Sequence, residues 1–222
     1  MILTIKNNKM KYGDLPKVID TIKVDCREMM FYQDMLIKDK GEYFHKIESR
    51  LDVFQCLIMA AVAAFISEFG DKAFRDSYMY ISAKRLFQSK GKSFNRPGWH
   101  SDGFMSSDIN YIWSDDGSTI FNNSNFIISQ DDILSLKEFQ IQADPDNDVI
   151  FPPNTLLRLN QFNIHRVGDV LADGIRTFVK VSFSHHKYDL EGNTHNYKLD
   201  YDWNMRPRNL TRNIPQSKIQ EL

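Results

Sequence analysis

The sequence predicts a mainly β domain of jelly-roll type, in which two facing antiparallel sheets are buttressed by N-terminal helices. Short apolar or alternating segments, separated by turn residues, recur from residue 76 to residue 188. One long amphipathic segment precedes them at residues 47–69. We therefore expect a single domain over residues 1–222, with a helical buttress at 14–70, a β-core at 76–188 and a basic tail at 200–222.

The N-terminal third is predicted to be largely helical. Residues 2–6 alternate enough for a strand, whereas the apolar spacing over residues 16–38 favours a helix of imperfect register. In residues 47–69, apolar side chains recur at threes and fours up to Gly70, a typical residue for the end of a helix. The unbroken apolar run from 57 to 66 has ten residues. A membrane span needs about 20, so we expect a packed helix.

The β-core is predicted from alternation and turn residues. In the last strand, Arg176, Phe178 and Lys180 share one face, and Thr177, Val179, Val181 and Phe183 share the other. The acidic segment at 144–148 lacks the glycine and glutamate of a helix-loop-helix calcium site, so we expect a solvated turn. The predicted strands lie at 76–87, around His100, at 109–114 and 119–121 (read together as a hairpin), and at 126–129, 149–151, 155–159 and 176–184.

Composition and charge argue against several classes of protein. The formal net charge of −1 gives no global field for non-specific binding to duplex nucleic acid or to an anionic membrane. Cys26 and Cys56 lie far apart and form no Cys-x-x-Cys motif, which fits a reducing, cytoplasmic location. The short apolar run at the N-terminus is not a secretory signal, and no phosphate-cradling glycine motif or hydrolase serine elbow occurs.

Three polar residues have the pattern of a metal site. His100 and Asp102 are one residue apart, so on a strand both side chains would point the same way. With His165 they would supply two imidazoles and one carboxylate, the set that leaves coordination positions open for Fe(II) oxygen chemistry. Arg176, eleven residues after His165, would face inward and need a charged partner. A solvated His-x-Asp and a structural ion pair for Arg176 are the alternatives.

The order His-x-Asp, His and Arg resembles the Fe(II)/2-oxoglutarate-dependent dioxygenases over roughly the second half of the chain. The resemblance implies a double-stranded β-helix in which Fe(II) is held by His100, Asp102 and His165. It also implies that Arg176 grips the far carboxylate of 2-oxoglutarate, since a guanidinium binds a carboxylate through two parallel hydrogen bonds. Tyr111 or Asn110 would be a further hydrogen-bonding partner of this co-substrate.

The resemblance also implies the reaction, which is hydroxylation or oxidative demethylation of an unactivated C–H bond with succinate and carbon dioxide as co-products. Asp102 favours hydroxylation, because halogenating members of the family have lost this carboxylate. We expect a small-molecule or peptide substrate, and a nucleobase in nucleic acid is the alternative that the basic tail mildly favours. A non-catalytic jelly-roll binding module and a zinc hydrolase with the same three ligands stay open as other classes.

Overall fold

The computed structural model describes residues 11–92, 98–117 and 119–208, so the strand predicted at 2–6 lies outside the described residues. Within these ranges the chain forms two α-helices, α1 (Gln55–Arg75) and α2 (Leu134–Gln142). The strands of the same ranges are β1 (Lys17–Thr21), β2 (Met30–Lys38), β3 (Tyr78–Gln88), β4 (Ile109–Ser114), β5 (Thr119–Asn122), β6 (Asp148–Ile150), β7 (Thr155–Leu159), β8 (His165–Val167) and β9 (Gly174–Ser184).

The strands form two antiparallel sheets. The larger has the order β1-β7-β4-β9-β3-β2, and the smaller has the order β6-β5-β8. From β4 onward the chain crosses repeatedly between the sheets: it goes from β4 in the large sheet to β5 and β6 in the small one, returns to β7, crosses to β8 and ends in β9 of the large sheet. This is the topology of a double-stranded β-helix, so the predicted jelly roll is confirmed. The two sheets pack together through Ile112, Phe121, Leu157 and Leu159.

The side chains of β9 alternate between the two faces of the large sheet. Val179, Val181 and Phe183 point toward α1 and join the main apolar core. The Phe183 ring stacks on Phe65 of α1 with 4.1 Å between centroids. The intervening side chains, Arg176, Phe178 and Lys180, line a cavity on the opposite side, between the sheets. The predicted alternation along this strand is therefore confirmed.

Helix α1 and the 3₁₀ turn before it (Ser49–Phe54) form the predicted buttress. At Gly70, where a helix end was expected, φ is +84° and the helix kinks before a last turn that ends at Arg75. By length and composition alone, the segment Ser49–Arg75 could also span a membrane. Its Leu57, Ile58 and Phe65 side chains are instead buried in the core of the domain.

The prediction of a helix at 16–38 is wrong, so the helical buttress does not begin at residue 14. This region contains β1 and β2, which are the two edge strands of the large sheet. The pairing of β2 with β3 shifts between Tyr32 and Met35, where Asp34 has a φ of +41°. Such a bulge interrupts the two-residue alternation that identifies a strand, and the resulting apolar spacing resembles that of a helix.

Two further local predictions are wrong. Strands β4 and β5 do not form a hairpin, because the turn between them carries the chain from one sheet to the other. Residues 126–129 are not a strand, and α2 follows shortly after them. Helix α2 was missed because only Leu136 and Phe139 among its apolar side chains are buried, which leaves little periodicity to detect.

Candidate metal centre

The two histidines of the predicted site are joined by a short backbone bridge. The amide of His100 donates to the carbonyl of His165, and the amide of His165 donates to the carbonyl of His100, both at 2.9 Å. This pair lies at the edge of the small sheet and brings the two rings to 4.5 Å between centroids. His100 is thus in an isolated bridge rather than in the strand predicted around it.

Asp102 lies in the turn that follows this bridge. The turn, rather than strand alternation, brings its carboxylate to the imidazoles. One ligand atom from each of His100, Asp102 and His165 lies within 4.8 Å of the others. Side chains more than sixty positions apart in the sequence therefore converge on one point.

The hydrogen bonds of the two imidazoles suit metal binding. Nδ1 of His100 lies 2.9 Å from the carbonyl of Gly98, and Nδ1 of His165 lies 3.0 Å from that of Asn163. A carbonyl only accepts, so Nδ1 carries the proton in each neutral ring and Nε2 carries the lone pair. Metal-ligating histidines have this arrangement, in which the second nitrogen donates to a backbone carbonyl and fixes the ring.

The donor set fits Fe(II) better than a structural zinc ion. Structural zinc sites are closed by four protein ligands, most of them thiolates. Here the cluster has two imidazoles and one carboxylate, and three protein ligands leave positions for a chelating co-substrate and dioxygen. His165 is buried, whereas His100 and Asp102 are partly exposed to the cavity.

Arg176 reaches the same cavity and is 5% exposed. Its Nε donates to Asp116 Oδ1 at 3.0 Å and to Ser114 Oγ at 3.2 Å, so the structural ion pair considered above is present on one edge of the guanidinium. Its Nη2 is buried and has no hydrogen-bond partner among the residues that the structure describes. A buried donor in this state costs about 1–3 kcal/mol, which a ligand oxygen would remove. Arg176 therefore fits the carboxylate-binding role.

The position of Tyr111 contradicts the role expected for it, and the role expected for Asn110 stays a prediction. Tyr111 is 0% exposed, lies on the α1 side of the sheet and contacts the Phe183 ring edge-on. Burial raises the pKa of its hydroxyl, which has no hydrogen-bond partner in the described part of the chain. Asn110 is buried, and its Oδ1 accepts from Ser182 Oγ at 2.6 Å. Neither side chain lines the cavity. The sequence places them on opposite faces of β4 but does not identify the cavity face.

A partly buried lysine next to the triad was missed. Lys180 Nζ lies 3.7 Å from Asp102 Oδ2 and 3.7 Å from Asp34 Oδ1. Asp34 also accepts from Ser82 Oγ and Gln33 Nε2, each at 2.7 Å. Burial alone would raise the pKa of Asp34, but Lys180 and these hydrogen bonds outweigh it and lower that pKa. The alternation along β9 was the available signal, since it placed Lys180 on the face of Arg176.

The triad opens into a cavity of about 740 Å³ between the sheets. Residues 189–208 close part of its mouth, where Arg206 pairs with Asp189 at 2.6 and 3.0 Å. Trp203 packs on Tyr78 and Tyr80 of β3. The described part of the basic tail therefore lies on the domain, and its remainder, 209–222, lies outside the described residues.

Fold and donor set together define a jelly-roll protein with a candidate mononuclear metal site. No protein-family model matches the chain, and no curated protein matches it. Among solved structures, EvdO2 from Micromonospora carbonacea var. aurantiaca is 17% identical, with a TM-score of 0.41 over 60% of this chain and 62% of that chain. Its complex with 2-oxoglutarate is also 17% identical, with a TM-score of 0.40 over 62% and 66%.

An oxidoreductase of the 2OG-Fe(II) oxygenase family from Burkholderia pseudomallei is likewise 17% identical, with a TM-score of 0.39 over 69% of this chain and 66% of that chain. The chain thus matches slightly less than two thirds of the length of each of these structures. Likenesses this distant assign no activity to the chain.

Proposed function

We propose that this protein is an Fe(II)- and 2-oxoglutarate-dependent dioxygenase. In this proposal it hydroxylates, or demethylates by hydroxylating a methyl group, an unactivated C–H bond of a small-molecule or peptide substrate. The observation that carries the proposal is the convergence of the triad on one wall of a cavity that also contains the buried, partnerless Nη2 of Arg176. Three ligands without such an arginine would be compatible with several metals and reactions.

Each residue of the site has a task in this reaction. When bound, Fe(II) and 2-oxoglutarate supply the reduction of dioxygen, so that one oxygen atom enters the substrate and the other enters succinate. His100, Asp102 and His165 would hold the metal. Asp116 and Ser114 hold one edge of the Arg176 guanidinium, so its remaining donors are oriented before a carboxylate binds. Lys180 lies beside Asp102 and limits the directions in which that carboxylate can turn.

The carboxylate of Asp102 supports hydroxylation rather than halogenation, because it occupies the ligand position that halogenating enzymes leave to halide. The reducing, cytoplasmic location stays part of the proposal. Both cysteines are free, which agrees with it. The free thiols are not part of the site, since neither Cys26 nor Cys56 lines the cavity.

Turnover of 2-oxoglutarate tests the proposal. The purified protein is incubated aerobically with Fe(II), ascorbate and 2-oxoglutarate, and succinate is measured by liquid chromatography. We expect succinate formation that requires Fe(II), is abolished in Asp102→Ala and persists in the control His186→Ala, which changes an exposed histidine away from the cavity. Succinate formation that is equal with and without Fe(II), or equal in both variants, would contradict the proposal.

A nucleic-acid substrate is the second candidate, because Arg206 and Arg208 lie at the cavity rim. It predicts a salt-dependent mobility shift with single-stranded DNA or RNA. The rival binding module predicts that no metal binds and that His100→Ala behaves like the parent. A zinc hydrolase would use the same ligands but would leave the buried Arg176 nitrogen without a task.

A further inference from the structure

The charges around the cavity are unbalanced in a chain whose formal net charge is −1. Five of the lining residues are basic and two are acidic; the five are Lys84, Arg176, Lys180, Arg206 and Arg208, and the two are Asp34 and Asp102. Fe(II) and the dianion of 2-oxoglutarate have opposite and equal charges. Loading the proposed site would therefore leave the net charge around the cavity unchanged, and the remaining ligand would meet only those cations that have no carboxylate partner.

Four of the five cations already have partners. Arg176 pairs with Asp116, Arg206 pairs with Asp189, and Lys180 lies between Asp34 and Asp102. Arg208 donates to the carbonyl of Glu191 and to Asn193 Oδ1 at 3.2 and 2.6 Å. These contacts hold the four side chains in place. Lys84 is the remaining cation of the lining.

Lys84 projects from the middle of β3 into the cavity. It is opposite Phe31 of β2 and Phe178 of β9, and its Nζ lies 5.1 Å from the centroid of the Phe31 ring. No carboxylate in the described part of the chain forms an ion pair with it. Burial and the nearby Lys180 ammonium lower the pKa of Lys84, and they outweigh the opposite effect of the Asp34 and Asp102 carboxylates, so its charge is only partly compensated.

We infer that the prime substrate is a small anion whose carboxylate or phosphate group is bound by Lys84 while its adjoining carbon atoms pack against Phe31. This inference rests on the proposed function, because it assigns Arg176 to 2-oxoglutarate and Lys84 to the other substrate. The Phe31 ring is 56% exposed, so it presents an apolar surface beside the cation. The cavity of about 740 Å³ is of a size suited to a metabolite-sized ligand.

Calorimetry with simple anions tests the site. Protein loaded with Mn(II) and 2-oxoglutarate is titrated with inorganic phosphate and, separately, with acetate. We expect one of the two to bind and its affinity to fall at least about tenfold in Lys84→Met, the loss of one charge-assisted contact. Lys84→Met keeps an unbranched stem beside Phe31, and Lys84→Arg is expected to retain binding. The matched control is Lys137→Met, which alters an exposed lysine of α2.

The outcomes separate this inference from the proposed function. The stronger of the two anions identifies the substrate as a phosphate or a carboxylate. Equal anion affinity in Lys84→Met and the parent, or no binding of either anion, overturns the inference. A loss of 2-oxoglutarate affinity in Lys84→Met, with anion binding unchanged, also overturns it by making Lys84 a co-substrate residue. If Mn(II) and 2-oxoglutarate fail to bind while the anion still depends on Lys84, the anion site stands and the oxygenase proposal fails.

Discussion

The two faces of the large sheet differ in what stabilises them. On the α1 face, Val179, Val181 and Phe183 of β9 are about 1% exposed and pack against an apolar helix. On the cavity face of the same strand, Lys180 and Arg176 face other charged groups. Along β9 the first face gains free energy from apolar burial, whereas the second holds the charges of Arg176 and Lys180 beside the cavity. Among the described residues, buried polar atoms without a hydrogen-bond partner occur on both faces of the sheet, at Tyr111 and Arg158 on the α1 face and at Arg176 on the cavity face. The difference in polarity along one strand indicates that the cavity face of β9 is suited to a charged ligand, whereas its other face is suited to packing.

Truncation of the apolar face is expected to have the largest effect on stability. Phe183→Ala removes a side chain that contacts Phe65, Phe74 and Tyr111, and should lower the free energy of unfolding by about 3–5 kcal/mol. Phe178→Ala, on the cavity face of the same strand, is the matched change and should cost clearly less, because Phe178 is only partly buried. Urea unfolding measures both. Equal losses would remove the distinction between the faces.

Replacing an arginine on each face should separate binding from stability. Arg176→Gln is expected to weaken 2-oxoglutarate binding at least about tenfold, because a charge-assisted contact contributes about 1.5–3 kcal/mol. Fe(II) affinity should change little. Arg158→Gln alters a buried arginine on the α1 face, which pairs with Glu68 at 2.7 Å, and should lower stability without affecting 2-oxoglutarate. Calorimetry on the Mn(II)-loaded protein measures the 2-oxoglutarate affinity of each variant. Equal 2-oxoglutarate affinities in Arg176→Gln and Arg158→Gln would contradict the assignment of Arg176.

Lys38 places a charge at the margin of the apolar face, and its removal should have the smallest effect. The residue is 0% exposed, its Nζ donates to the carbonyls of Ser77 and Asp39, and it lies over the Phe74 ring. Burial lowers the pKa of Lys38 from 10.5 to about 8. Between these values the unfolded chain binds a proton that the folded chain does not, so the stability contribution of Lys38 rises with pH there and is least favourable below pH 8.

We therefore expect Lys38→Met to stabilise the protein at pH 7 by about 1 kcal/mol, since an apolar residue avoids the cost of burying the charge. The gain should shrink as pH rises through 8 toward 10.5. Thermal unfolding of parent and variant at a series of pH values checks this. A difference that does not depend on pH would mean that Lys38 is not protonated differently in the folded and unfolded states.

The regular strands of the core could be predicted from the sequence. The irregular backbone at Asp34 and the surroundings of Lys84 could not. Strand β9 is long and unbroken, so its two-residue period identified the face that contains Arg176 and Lys180. Asp34 lies at a bulge that disrupts this period, and its segment was read as a helix. Lys84 lies on β3, a predicted strand, but its lack of an ion pair depends on neighbours that only the folded chain brings together.

The candidate metal ligands could be predicted from residue types and their order in the sequence. Their residue types and order define a donor set, although the strand expected around His100 is an isolated bridge followed by a turn. The side of β4 that faces the cavity could not be read from the sequence, because both faces of that strand are buried. Tyr111 was therefore assigned to the wrong surroundings.

The visible spectrum of the anaerobic protein is the most direct test of whether Fe(II) and 2-oxoglutarate bind together at the triad. Fe(II) and 2-oxoglutarate are added without dioxygen, and a weak charge-transfer band of their chelate is sought in the parent, His165→Ala, Arg176→Gln and the control His186→Ala. The account predicts a band in the parent and the control, no band in His165→Ala, and a band in Arg176→Gln only at higher 2-oxoglutarate concentration. A parent without the band, or a band that survives unchanged in His165→Ala and Arg176→Gln, would contradict it.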